Sequence, residues 1–338
     1  MDSITQMTLG AAVGEAVLGK RAGYRAALWG VALGTLPDLD ILINPFVDAV
    51  NELYYHRNIT HSFFFAVAAS PLLGWMIAKV HPTLDAGWKQ WAHLSFWVIL
   101  THILIDLPTT YGTQIFQPFS NYPAATDSVF IIDPLFTIPV LIGVLTARIL
   151  RSRPRLGRIA NGTGLALGFL YLLIGLGIKA HVHSVYKASF DAQYGWHERL
   201  KASPNGPTTF LWNGYVMKQD TVYHAMYSIF DGDTNLTFTP IPRNSHLIEP
   251  FQDDRAVEAL LWFSRGYYSA KETEDGDIIV SDLRFGRDDF WLTDEGVFVW
   301  QNRLIIEDGT AVTFDQSLPS FDVRARNLAL FWNRIWGK

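Results

Sequence analysis

In the first half of the chain, histidine and aspartate collect in a few short groups whose spacing suits metal chemistry. PDLD at 37–40 carries Asp38 and Asp40, and HRNITHS at 56–62 carries His56, Arg57 and His61. HILID at 102–106 sets His102 four positions before Asp106. On a helix His102 and Asp106 share one face, a turn apart. In an extended segment Asp38 and Asp40 point to the same side. Neutral imidazole and carboxylate are ligands for zinc, manganese or iron, and a mixed set of this size holds one ion or two. Thiolate ligation is excluded, because the chain has no cysteine. Each residue also has an ordinary reading: a loop acid at Asp38 or Asp40, a hydrogen-bonded core histidine at His102, a cap at Asp106. Asp133, followed by Pro134, suits a helix N-cap as well as a ligand. Arg57 suits a substrate phosphate or carboxylate, or simply Asp38 or Asp40.

The elements that must position these groups are apolar. Ser62–Ala78, Trp91–Leu107, Val129–Leu150 and Ala160–Ile178 each have the length of a helix crossing about 30 Å of hydrocarbon. Two shorter segments, Met7–Gly19 and Ala26–Leu36, precede them. Gly10/Gly14 and Gly30/Gly34 lie at GxxxG spacing, which predicts a tightly packed helical hairpin. Asp2 stands where a signal peptide would be basic, so cleavage is not expected. The densest basic cluster is Arg148, Arg151, Arg153, Arg155 and Arg158. The positive-inside rule makes that connection cytoplasmic, together with Lys20, Arg21, Arg25, Lys79 and Lys89. Leu36–Thr60, Leu104–Val129 and everything after Ile178 then face the other side. All the His and Asp groups therefore fall at one extracytoplasmic end, where ionisable residues at membrane depth are functional candidates.

Of the 338 residues, 49% are hydrophobic and the net charge is −5. Residues 1–180 carry a net +2 and residues 181–338 a net −7. Such a balance excludes disorder, a disulfide scaffold and a basic nucleic-acid binder. In the second half, Thr208–Met217, Thr221–Phe230, Ile278–Phe285 and Gly296–Ile306 have strand composition, while Asp253–Phe263 and Phe321–Trp336 have helical spacing. The expected fold is a membrane protein. Its α-helical transmembrane bundle over 1–180, four long spans plus the Gly/Ala-rich helical hairpin, is followed by an α+β extracytoplasmic domain over 181–338. Weaker features read as ordinary structure. Asp231, Asp233 and Asn235 start like a calcium loop without its closing Glu, so a turn is expected. His181 and His183 suit either a linker or a group reaching the site. Thr109–Gln114 suits either a pocket wall or a plain loop. No serine-hydrolase, P-loop or HExxH motif is present.

PDLD, HRNITHS, HILID and the following LPTTYGTQ at 107–114, with MDSITQMTLGAA at 1–12, resemble the signatures of the YdjM-type bacterial inner-membrane metal-dependent hydrolases over roughly residues 1–150. The resemblance implies metal ligands at Asp38, Asp40, His56, His61, His102 and Asp106. Gln6 stands where many members carry a His. More distantly, THS before a helix and HxxxD within one are similar to motifs of zinc-dependent phospholipase C and P1-type nucleases. Thr109, Thr110 and Tyr111 replace the further His of those enzymes, which implies one or two ions rather than three. The function expected is a membrane-bound hydrolase using a divalent metal, zinc or manganese or another, on a phosphoester of a lipid or lipid-linked substrate. Arg57 would offset negative charge, and Asp40 or Asp106 would act as general base. The lipid bilayer is its expected partner, nucleic acid is not, and its place is the inner membrane. The rival readings are a non-catalytic, metal-stabilised envelope protein and an ion transporter. Against the transporter, the cytoplasmic halves of the spans offer mostly Lys and Arg, with Glu15 and His93 as exceptions.

Overall fold

Asp2 opens the first helix by accepting hydrogen bonds from the backbone N–H groups of Ile4 and Thr5, and α1 (Ser3–Ala22) follows. Gly23, at φ +60°, ends it and turns the chain into α2 (Tyr24–Thr35). The two helices lie so close at Gly10 and Gly30 that a Cβ on Gly30 would overlap the Gly10 carbonyl. The GxxxG spacing thus does what it predicts: two backbones meet with no side chain between them. In the computed structural model, residues 1–293, 296–317 and 328–338 are described. They divide into two units. One comprises Met1–Ile43 and Tyr55–Leu176, the other Asn44–Tyr54 and Gly177–Lys338.

The first unit is helical. After α2 a 3-10 helix runs over Pro37–Phe46, and a short α3 (Ala49–Tyr55) follows. Ser62 caps α4 (Phe63–Val80) through the N–H of Phe65. Then come α5 (Trp88–Asp106) and α6 (Pro134–Ile149), with Asp133 at the N-cap of α6. Last is α7 (Pro154–Tyr194), 41 residues long, so that the boundary expected at 180 falls inside one helix. Three segments are long and apolar enough to cross a membrane: Tyr24–Phe46, Phe63–Val80 and Pro154–Tyr194. Pro134–Ile149 is a shorter apolar helix. The expected stretch Trp91–Leu107 forms α5, which packs against α1, α2 and α4. Its Trp91, Leu94, Val98, Ile99 and Ile103 are fully buried. By contrast α4 exposes Val67, Leu72, Trp75 and Met76, and α7 exposes Leu170, Leu173 and Ile174. Apolar surface of that extent matches lipid rather than water.

The expected extended segment at 37–40 is the main local correction. Pro37–Phe46 is a 3-10 helix, in which residues two apart point about 120° away from each other. Asp38 and Asp40 consequently diverge instead of pointing together.

The second unit holds two four-stranded antiparallel meanders. β1 (Arg199–Pro204), β2 (Leu211–Lys218), β3 (Thr221–Ser228) and β4 (Thr239–Pro242) form one, in that order. β5 (Tyr268–Glu272), β6 (Ile278–Asp282), β7 (Gln301–Glu307) and β8 (Thr310–Ser317) form the other. Tyr215, Met217, Val222 and Ile241 of the first sheet share a core with Tyr267 and Leu283. Helix α8 (Arg255–Ser264) occupies the expected helical stretch, and α9 (Leu328–Ile335) closes the chain. Residues 321–327 of the expected final helix lie outside the described residues. The segment Asn44–Tyr54 belongs here too: Arg255 donates twice to Asp48, at 2.6 and 3.0 Å, and Tyr54 packs on Trp262 at 4.7 Å.

Candidate metal centre

Three elements of the first unit deliver the cluster. The 3-10 helix after α2 brings Asp38, a single 3-10 turn before α4 brings His61, and the last turns of α5 bring His102 and Asp106. One ligand atom from each of these four residues lies within 4.8 Å of all the others. His61, His102 and Asp106 are buried, and Asp38, 24% exposed, is the accessible member.

The protons of this cluster can be assigned from its neighbours. His102 Nδ1 lies 2.7 Å from the Gly34 carbonyl, which only accepts, so Nδ1 carries the hydrogen and Nε2 presents a lone pair. That Nε2 is 3.2 Å from His61 Nε2. Asp38 Oδ1 stands 3.3 Å from the His61 nitrogen and 3.6 Å from that of His102; Asp106 Oδ2 stands at 3.5 and 3.8 Å. Four acceptor atoms therefore converge with at most one proton among them. Asp106 Oδ2 is buried and has no hydrogen-bond partner among the described residues. Leaving a buried carboxylate oxygen unpaired costs several kcal/mol, and a cation held by these atoms removes that cost. The donor set, two imidazole nitrogens and two carboxylate oxygens, suits a divalent metal.

Asp40 and His56 form a second layer. Asp40 Oδ2 accepts from the backbone N–H of Arg57 at 2.7 Å and faces His61 Nδ1 at 3.5 Å, while its Oδ1 lies 3.2 Å from His56 Nδ1. A carboxylate behind a ligating imidazole fixes the ring and its tautomer. Arg57 has a left-handed backbone, φ +54°, and its buried guanidinium reaches across the cluster. It donates to Thr109 Oγ1 at 3.1 Å and lies 3.5 Å from Asp106 Oδ1. Of the two readings of Arg57, the side-chain pairing with Asp38 or Asp40 gives way to one with Asp106, and it is the Arg57 main chain that serves Asp40. Gln6 donates to Asp106 Oδ1 at 3.0 Å, and the Met1 amino group also contacts that oxygen.

Asp133 stands apart from the four-residue cluster. It accepts from the Leu135 N–H and from the Tyr171 hydroxyl at 2.7 Å, the N-cap role. His181 and His183 belong to the second unit, where His181 Nε2 lies 3.5 Å from the Tyr227 hydroxyl. Asp231 is paired with Arg334 and Asp233 accepts from the N–H of Asn235, an ordinary turn. Three contributors carried little signal in the sequence. The Gly34 carbonyl has no side chain to read. Thr109 holds Arg57, and Tyr111 packs its ring on His56 at 4.9 Å and under Arg57 at 5.2 Å. The polar character of 109–114 was the one hint of the last two.

Comparison with known proteins matches residues 1–183 to the YdjM inner membrane protein family. The "uncharacterized protein YfhP" of Bacillus subtilis (strain 168) is 29% identical over 154 residues, 43% of this chain and 45% of that protein. The chain thus covers less than half the length of this curated relative. No solved structure matches significantly. The match spans more than half of the chain and includes every residue of the cluster, so the chain belongs to the YdjM inner membrane protein family.

Proposed function

We propose that this member of the YdjM inner membrane protein family is a metal-dependent hydrolase with four transmembrane helices and an extracytoplasmic C-terminal domain. Its substrate would be a phosphoester of a lipid or of a lipid-linked compound. The observation that carries the reading is the convergence of Asp38, His61, His102 and Asp106, four acceptor atoms sharing at most one proton, beside a buried guanidinium. A divalent ion, zinc or manganese, would be held by those four residues, with Asp40 and His56 behind them or at a second ion. When bound, it supplies Lewis acidity and acidifies water. The chain's own groups do the rest. Arg57, tied to Thr109, is placed to offset the charge of a phosphoryl group. Asp40 holds His61 in orientation, and Asp38, the accessible carboxylate, faces where substrate would enter. Asp40 and Asp106 remain the candidate general bases. The positive-inside rule puts the cluster at the extracytoplasmic headgroup level, where phosphoesters of lipids lie.

A specific observation favours a second reading. Three of the four cluster residues are buried, as in closed structural metal sites. One set of measurements separates the two. Purified wild type should carry a stoichiometric divalent metal that His61→Ala lacks; equal metal in both removes His61 from the set. On a panel of lipid and nucleotide phosphoesters, product release should vanish with a chelator and in His102→Ala. Bound metal without turnover on any substrate favours the structural reading, and turnover that survives either treatment overturns the metal-hydrolase reading.

A further inference from the structure

Helix α9 buries one apolar face and leaves another bare. Its Phe331 and Ile335 pack with Leu211 in the interior of the second unit. Leu328, Trp332 and Trp336 recur every four residues in one row, and all three are exposed, Trp332 by 60%. Trp336 stacks on the exposed Phe230 at 5.0 Å, Phe210 lies 5.4 Å from Phe230, and Trp332 lies 5.8 Å from Trp336. Four rings and Leu328 thus make one continuous apolar surface. Single exposed apolar side chains are ordinary, but a contiguous aromatic patch marks a surface that meets something. The one charge of α9, Arg334, is paired with Asp231 at 2.6 Å. What the helix offers is therefore aromatic area rather than a cation.

The level of this patch on α7 identifies what it meets. Residues 177–194 of α7 belong to the same unit as the sheets. The Tyr186 hydroxyl donates to the carbonyls of Trp212 and Ala225, so the helix lies along the first sheet. Strand β3 runs against it in the opposite direction. Tyr223 packs on Phe190 at 5.2 Å and on Tyr194 at 4.9 Å, whereas the Tyr227 hydroxyl is 3.5 Å from His181 Nε2. Moving along β3 from Tyr223 to Tyr227 thus leads back along α7 to His181. Ser228, the last residue of β3, donates to the Ile335 carbonyl at 2.5 Å and fixes α9 at that end, with Phe230 just beyond it. His181 is only about 4.5 Å of helix past Ile178, where the apolar run of α7 stops. Lys179 is the first charge after that run. The aromatic patch therefore sits where a candidate membrane span passes from hydrocarbon to headgroups, the depth that tryptophan favours.

We infer that α9 and its aromatic neighbours anchor the second unit in the interface of the leaflet from which α7 emerges, with Trp332 and Trp336 inserted among the lipids. The inference holds whichever side of the membrane that leaflet faces, and whatever the His/Asp cluster holds. The cysteine-free chain permits a direct test by a spin label at Ala329→Cys, an exposed position one turn before Trp332. The full chain is placed in phosphatidylcholine nanodiscs, and collisions with oxygen, which favours lipid, are compared with those of a water-soluble nickel chelate. The oxygen-to-nickel ratio at Ala329→Cys should exceed that at Asp220→Cys, at the other end of β3, by about threefold or more. Because the contact is apolar, 1 M KCl should leave the ratio unchanged, in the way salt spares burial and screens charge, at about one tenth or less difference. Adding Trp332→Ser, which leaves Phe331 and Ile335 in place, should return the label toward the ratio of Asp220→Cys. Equal ratios at the two positions, or a ratio unmoved by Trp332→Ser, overturn the inference. Loss of the difference in salt makes the contact electrostatic and overturns it too. Few collisions with either reagent at Ala329→Cys would show that protein, a partner or a second copy, covers the patch instead of lipid.

Discussion

Asp40 divides one carboxylate among three partners: the Arg57 main chain, His56 and His61. Its Oδ2 stands behind the His61 ring, on the Nδ1 side, while Nε2 faces the cluster, the arrangement in which a carboxylate supports a ligating imidazole. Asp40→Asn is expected to lower metal affinity by about 10- to 100-fold while leaving stoichiometry intact at saturating metal. Titration against a competing chelator measures this, and an affinity equal to wild type would show that Asp40 does not support the site. At this scale the candidate site was legible because polar ligands stand out in apolar helices. His61, His102 and Asp106 need no neighbours to attract notice. What stayed hidden is either backbone, such as the Gly34 carbonyl, or direction. Asp38 and Asp40 diverge because Pro37 opens a 3-10 helix, and two carboxylates one residue apart look alike until that turn is known.

Helices α1 and α2 depend on four glycines, Gly10, Gly14, Gly30 and Gly34, rather than on side-chain interlock. Gly30→Leu should destabilise the hairpin by about 3 kcal/mol or more, since backbone would have to separate to admit any side chain. Because Gly34 holds His102, loss of metal should accompany loss of thermal stability; a variant that melts like wild type would contradict the close approach. In the first sheet, burial, with Arg287 nearby, pushes the His224 imidazole down to about 3 from its ordinary 6.5. Its Nε2 lies 3.0 Å from Asn213 Oδ1, and its ring stacks on Trp291 at 3.7 Å. The folded unit therefore keeps His224 neutral while the unfolded chain takes up a proton below about pH 6.5. Stability should fall by about 1.4 kcal/mol per pH unit from there toward pH 3. Hydrogen exchange of the β2 and β3 amides should record this slope in wild type and a shallower one in His224→Gln. The helices were more legible than the strands. Val182, Tyr186 and Phe190 continue a helical period past the apolar run, which is why α7 extends to Tyr194. β1, with the sequence RLKASP, has few β-branched or aromatic residues to mark it, and β4 is only four residues long.

The whole chain joins a lightly charged, net basic half to an acidic one, and the charge sign sets the expected direction of insertion. The absence of cysteine makes a direct test possible. Asp220→Cys, on the exposed turn between β2 and β3, should react with a membrane-impermeant maleimide in intact spheroplasts. Labelling only after lysis would reverse the proposed topology. The family match ends at residue 183, so it covers most of the helical half and stops before the two sheets. Yet the halves are not separate modules in the chain. Between Asp40 and His56, both beside the cluster, the chain leaves the first unit to contribute Asn44–Tyr54 to the second, clamped there by Arg255 and Trp262. A recombination event that exchanged everything after α7 between two family members would strand this stretch among foreign partners. The heritable unit is therefore discontinuous: the sheets and these eleven residues must travel together, or co-vary, for the second unit to stay whole.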